Sequence, residues 1–119
     1  MAQDRPTAAE LLAAIADFLR EEATPALDEA EPRLGFQMRV AANSLAILER
    51  EARLGPAADA RELARLKNLL GRDGTLPDLV RELARQLRAG ERDERDAALM
   101  AHLDATVADK IAIANPKWK

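Results

Sequence analysis

The stretch Leu34-Gly35-Phe36-Gln37-Met38-Arg39-Val40-Ala41-Ala42-Asn43-Ser44-Leu45-Ala46-Ile47-Leu48 decides the fold. Its apolar residues fall on most sides of a helix drawn at about 100° per residue. It lacks the period-two alternation of a half-buried strand. A helix that is apolar nearly all round is ordinarily a central one, packed on several sides. The sequence therefore predicts an all-α protein built around a helix over 32–54, closed by Gly55-Pro56.

Working outward, the segments on either side carry their own helix signals. Thr7 and Glu10 form a T-x-x-E capping box, and Leu11, Leu12, Ile15, Phe18 and Leu19 follow at helical spacing. Thr24-Pro25 is expected to end or kink that helix, so its range is 7–22. The acidic segment 26–31 is ambiguous and has room for a short helical turn. A third helix covers 57–70, with Leu63, Leu66, Leu69 and Leu70 inward. Thr75, Pro77 and Asp78 mark the start of a fourth over 77–89, which carries Leu79, Val80, Leu83 and Leu87 and stops at Gly90. A charged linker then leads to a fifth over 96–114, where Leu99, Leu103, Val107 and Ile111 recur at four-residue steps. About five helices with short connections predict one compact helical domain spanning 1–119.

Composition narrows the function classes. The chain has 119 residues, 48% of them hydrophobic and 33% charged, which is a foldable mixture. Cysteine and tyrosine are absent, so disulfides, thiolate metal sites and a cysteine nucleophile are excluded. No apolar run reaches the length of a membrane span, and the start of the chain has no apolar signal core, so a cytoplasmic location is expected. The 18 basic and 21 acidic residues are interspersed, which gives no basic face for nucleic acid. There is no glycine-rich phosphate loop and no Glu-x-x-His metal pattern; neither cofactor nor metal is expected.

The candidate binding residues lie on the central helix and at the two ends. Arg39 and Asn43 are one turn apart, and Arg50 falls between them in angle, so the three share a stripe without an acid. That stripe reads either as a narrow solvent-facing strip, with Arg39 on a loop carbonyl, or as a patch that recognises a partner or an anion. His102 is the one histidine; it reads as a surface or boundary residue, since Asp104 cannot face it and only Thr106 lies a turn away. Arg81, Arg85, Arg88 and Arg92 make a basic edge that is either solvated or able to hold a phosphate-rich ligand. Asp4 and Arg5 precede the first cap, and Asn115 and Trp118 close the chain. Trp118 either packs back on the bundle or anchors an interface.

Three stretches resemble a known bacterial family of small domains of unknown function: Gln3-Asp4-Arg5-Pro6-Thr7-Ala8-Ala9-Glu10-Leu11-Leu12, Phe36-Gln37-Met38-Arg39-Val40-Ala41-Ala42-Asn43, and Asn115-Pro116. Members of that family are often encoded beside an aminoglycoside-phosphotransferase-like kinase and an acyl-CoA dehydrogenase. One branch is similar to the small accessory subunit of the levulinate-pathway kinase that phosphorylates 4-hydroxyacyl-CoA. The resemblance implies a non-catalytic accessory subunit: the kinase supplies ATP binding and phosphoryl transfer, and acyl-CoA is met through the complex. It carries over no catalytic residue, so Arg5, Arg39, Asn43 and Asn115 are candidates by type and placement. Two other readings compete. One is a self-associating helical module, with Leu54 and Leu76 lining a two-fold contact. The other is a small enzyme or ligand carrier with a pocket at Arg39 and Asn43, disfavoured by the missing chemistry.

Overall fold

A computed structural model describes residues 5–117. The chain is all-α, with no strand among the described residues. Helix α1 (Ala8–Phe18) runs into a wide π turn (Leu19–Ala23) and on into α2 (Thr24–Ala30) without a break. Then come α3 (Pro32–Leu70), α4 (Leu76–Arg88) and α5 (Ala97–Ala114). The continuous helical stretches are thus four where about five were expected. Two compact units result, one taking in the chain up to Leu54 with Ile113–Asn115, the other Gly55–Ala112.

Both departures from expectation involve proline. The Thr24-Pro25 stop does not stop the helix. In the π turn the Thr24 N–H donates to the carbonyl of Leu19, five residues back. Pro25 then sits in the first turn of α2, where a missing N–H is tolerated. The Gly55-Pro56 stop also fails, and Pro56 lies inside α3. A proline ring normally clashes with the Cβ of a preceding helical residue, and Gly55 has none. The cost is one backbone hydrogen bond, since Pro56 cannot donate. The division between the two units falls at this pair.

The local start and stop signals form as read. Glu10 N–H donates to Thr7 Oγ1 and Thr7 N–H to Glu10 Oε1, both at 3.1 Å. Thr75 Oγ1 accepts from Asp78 N–H. At the end of α4, Gly90 has φ +73°, with Gly90 N–H donating to the Leu87 carbonyl and Glu91 N–H to that of Gln86. This is the Schellman arrangement, and its left-handed residue is best made by glycine. Asp96 caps α5 by accepting from Ala98 N–H at 2.9 Å.

The two units bury different things. In the second, Leu66, Leu79, Leu83 and Leu99 form a sealed cluster, with Leu63, Leu69, Leu70, Leu76 and Leu103 packed against it. In the first, the buried residues are small: Ala16, Thr24, Gly35 and Ala42. Val80 and Leu87 of α4 and Val107 of the α5 repeat are exposed. On α5 the inner face instead turns through Leu99, His102, Leu103 and Thr106.

Thr24 Oγ1 is sealed from solvent and has no hydrogen-bond partner. A buried hydroxyl in that state costs about 1–3 kcal/mol. Thr24→Val keeps the branched shape and removes the orphan oxygen. We expect the variant to be more stable by about 1 kcal/mol, read as a higher urea midpoint at unchanged slope. A lower midpoint would show that the hydroxyl is bonded in solution.

Candidate functional site

Arg39, Asn43 and Arg50 all lie in the first unit, and each is engaged within it. Arg39 Nη1 donates to Asp28 Oδ1 at 2.9 Å and to Oδ2 at 2.8 Å, so its partner is a carboxylate on α2 and not a loop carbonyl. Asn43 Oδ1 accepts from Arg20 Nη2 at 3.2 Å, reaching the π turn. Arg50 Nε donates to the carbonyl of Ile113 at 2.6 Å. That carbonyl is one of the last four of α5, which have no partner within their own helix. The stripe therefore ties α3 to three different segments.

Gly35 makes the Asp28–Arg39 pair possible. A Cβ at Gly35 would strike Asp28 Oδ1 and come within 3.2 Å of the Asp28 Cα. The first of these contacts is far inside van der Waals range, and the second is backbone that cannot simply swing aside. Arg5 forms a wider, exposed pair with Glu10 at 3.5 Å, and Asn115 is exposed just past α5. The candidates Asp4 and Trp118 lie outside the described residues.

What the stripe leaves open is apolar. On α3, Gly35 and Ala42 point inward, while Phe36, Val40 and Leu48 fall on the opposite side and are exposed. On α1, Leu11, Ile15 and Phe18 recur at helical spacing and are exposed as well. Phe36 keeps 61% of its surface in solvent and Phe18 55%. α1 and α3 thus each present an exposed face of large apolar side chains. The sequence reading placed these residues inside a bundle. Leu54 and Leu76, suggested for a two-fold contact, are not fully exposed: Leu54 is half-buried and Leu76 packs partly on the leucine cluster.

The second unit holds the polar interior that sequence reasoning missed. His102 is not a surface residue; it is 5% exposed. Arg65 Nε donates to His102 Nδ1 at 3.2 Å, and Arg65 Nη2 donates to Thr106 Oγ1 at 3.2 Å. Burial, and then the neighbouring Arg65 charge, hold the His102 pKa below its ordinary value, with Glu62 pulling weakly the other way. The three line up because α5 brings His102 and Thr106 to one face, a turn apart, opposite Arg65 on α3. Arg65, Asn68 and Leu69 of α3, with Ala98, Ala101 and His102 of α5, line an open depression of about 360 Å³.

The basic edge of α4 is largely spent on neighbours. Arg85 grips Glu82 at 2.7 Å and Glu91 at 3.0 Å, and Arg81 pairs with Asp78. Hydrogen bonds from Arg85 and Gln86 pull the Glu82 carboxyl down to about 2. Arg92 donates to Gln86 Oε1 at 2.7 Å and to the Leu69 carbonyl at 2.9 Å, pinning the loop before α5 to the end of α3. Among the described residues no group of three or more His, Cys, Asp or Glu side chains could hold a metal ion. No helix is long and apolar enough to cross a membrane, again among the described residues.

Two measurements test these assignments. Alanine inside a helix is normally better than glycine by about 1 kcal/mol. Gly35→Ala is expected to have the opposite sign, a loss of about 1–3 kcal/mol in urea unfolding, because the new methyl displaces Asp28. For His102, the folded pKa is below the unfolded value of 6.5, so the unfolded chain binds the proton first. Stability is then complete above about pH 6.5 and falls as pH drops below it. The urea midpoint of the wild type should decline between about pH 7 and 5.5, and that of His102→Gln should decline less. Equal slopes would contradict the assignment.

Comparison with known proteins adds one positive finding. No curated protein and no solved structure matches the chain. The family model described as a domain of unknown function, DUF6285, matches residues 25–118, which takes in α3, α4 and α5 in full and leaves α1 outside. With most of its length matched, the chain belongs to the DUF6285 family.

Proposed function

We propose that this protein is a non-catalytic binding subunit that docks through the apolar surface of its first unit. The observation that carries the reading is the exposure of Phe36, Val40 and Leu48 on α3 and of Leu11, Ile15 and Phe18 on α1. A partner that covers these residues removes apolar area from water, the main favourable term in association. Phenylalanine is well suited to such contacts, since it combines large area with few rotatable bonds. The polar residues of the same unit support the reading in another way. Arg39, Asn43 and Arg50 are held by Asp28, Arg20 and Ile113, which gives the docking face a fixed frame.

The partner proposed is an aminoglycoside-phosphotransferase-like kinase acting on a hydroxyacyl-CoA. This step rests on the resemblance of the three quoted stretches to the kinase-associated family. Phosphoryl transfer needs a phosphate cradle and positioned magnesium. In this scheme the kinase provides both, and the small chain stabilises it or completes its acyl-CoA site. Self-association is the alternative, since an apolar surface of this kind also suits a second copy of the chain.

The test is co-expression with an aminoglycoside-phosphotransferase-like kinase of the proposed kind, with one partner tagged. Co-elution and ATP-dependent phosphorylation of a 4-hydroxyacyl-CoA are expected for the wild type. Phe36→Arg and Phe18→Arg lie at exposed positions, so each should fold normally, and each should lose co-elution. Separate elution of the wild type with unchanged kinase activity would remove the proposal, and a defined homo-oligomer in the same run would favour the alternative.

A further inference from the structure

The depression in the second unit is independent of the docking surface and has a chemistry of its own. Its room comes from Ala98 and Ala101, whose side chains stop at Cβ. A volume of about 360 Å³ falls within the range of small-ligand sites. Arg65, Asn68 and His102 are the polar residues of its lining.

Arg65 is the charged member, and like the partly buried Arg50, which donates to the Ile113 carbonyl, it has no carboxylate partner among the described residues. Arg39, Arg61 and Arg85 each meet a carboxylate within hydrogen-bond distance. Arg65 is half-buried, yet both groups that accept from it, His102 and Thr106, are neutral. Among the described residues no carboxylate pairs with it. A guanidinium has five N–H donors, and these two bonds use two of them. Glu62, one turn before Arg65 on α3, acts on His102 through its charge but makes no ion pair with Arg65; a half-buried guanidinium without a directly bonded counter-charge is left short of its best partner. An anion from solution would supply it.

His102 adds a donor. With Nδ1 accepting from Arg65, the neutral ring carries its hydrogen on Nε2. Thr24 Oγ1 is the sole sealed side-chain polar atom without a partner among the described residues, so Nε2 retains access to solvent. Asn68 lies three residues beyond Arg65 on the same helix and so shares its face.

We infer that this depression binds a small oxyanion, the carboxylate or phosphate group of a small molecule, with Arg65 as the charged ligand and Asn68 and His102 as further donors. The planar fork of arginine matches either group with two parallel hydrogen bonds. The apolar floor of Ala98, Ala101 and Leu69 accommodates the carbon skeleton that bears the charge.

The full chain should be titrated with inorganic phosphate, and separately with acetate, at constant pH and ionic strength. The readout is the nuclear magnetic resonance signals of the His102 ring, which are unambiguous because the chain has one histidine. A saturable movement with either anion is expected. Movement with phosphate alone assigns a phosphate ligand, and comparable movement with acetate assigns a carboxylate. Arg65→Gln should weaken binding by about tenfold or more, the scale of a lost charge-assisted hydrogen bond. Ala101→Leu, at an exposed position, should fill the depression and abolish the movement while leaving the helical circular dichroism unchanged. No saturable movement with either anion, or an unaltered response in Ala101→Leu, would overturn the inference.

Discussion

Leu66, Leu79, Leu83 and Leu99 bring one sealed contact to three helices, and the polar features of the second unit are placed by it. Leu66 sits beside Arg65 on α3, and Leu99 lies one turn before His102 on α5. When those leucines close, Arg65 and His102 must face each other. Burial then does the rest: the ring is desolvated, its pKa falls, and its Nδ1 is free to accept. A leucine that is fully buried contributes about 1.5–3 kcal/mol relative to exposure. The Arg65–His102–Thr106 bonds are individually worth less, so they follow the core and do not create it.

The first unit works by a different principle. Its sealed positions hold alanine, glycine and threonine, and its bulky apolar residues lie outside. Small residues let helices approach closely, as the fit of Asp28 over Gly35 illustrates. The large side chains displaced from the interior are left on the surface. The family match begins at residue 25, so Leu11, Ile15 and Phe18 on α1 lie outside it, while Phe36, Val40 and Leu48 lie inside. A binding role for the one unit and a small-anion site in the other are compatible, because they use different residues and different forces.

Much of the fold was legible in the sequence because its signals are local. The Thr7–Glu10 box, the Thr75 cap, the Gly90 stop and the spacing of Leu63, Leu66, Leu79, Leu83 and Leu99 need only neighbours within a turn or two. The proline stops were misleading for the same reason. A local rule reads Thr24-Pro25 as an end or a kink and Gly55-Pro56 as an end, whereas a π turn and a missing Cβ let both helices continue. The site was less legible. Arg65 and His102 are 37 residues apart, and no spacing rule pairs them. Arg39 and Asn43 stand out as polar residues on an apolar helix, but their partners Asp28 and Arg20 lie on other helical segments. The apolar residues of α3 looked like a core because periodicity reports hydrophobicity, and hydrophobicity does not say whether the partner is the same chain or another.

The central claim is that the apolar surface of the first unit is where a partner docks. Side-chain footprinting with hydroxyl radicals, on the chain alone and with the phosphotransferase-like kinase, tests it at the residues concerned. Phe18 and Phe36 are expected to be labelled readily in the free chain and protected when the kinase is added. Equal labelling with and without kinase, or protection confined to Gly55–Ala112, would contradict it.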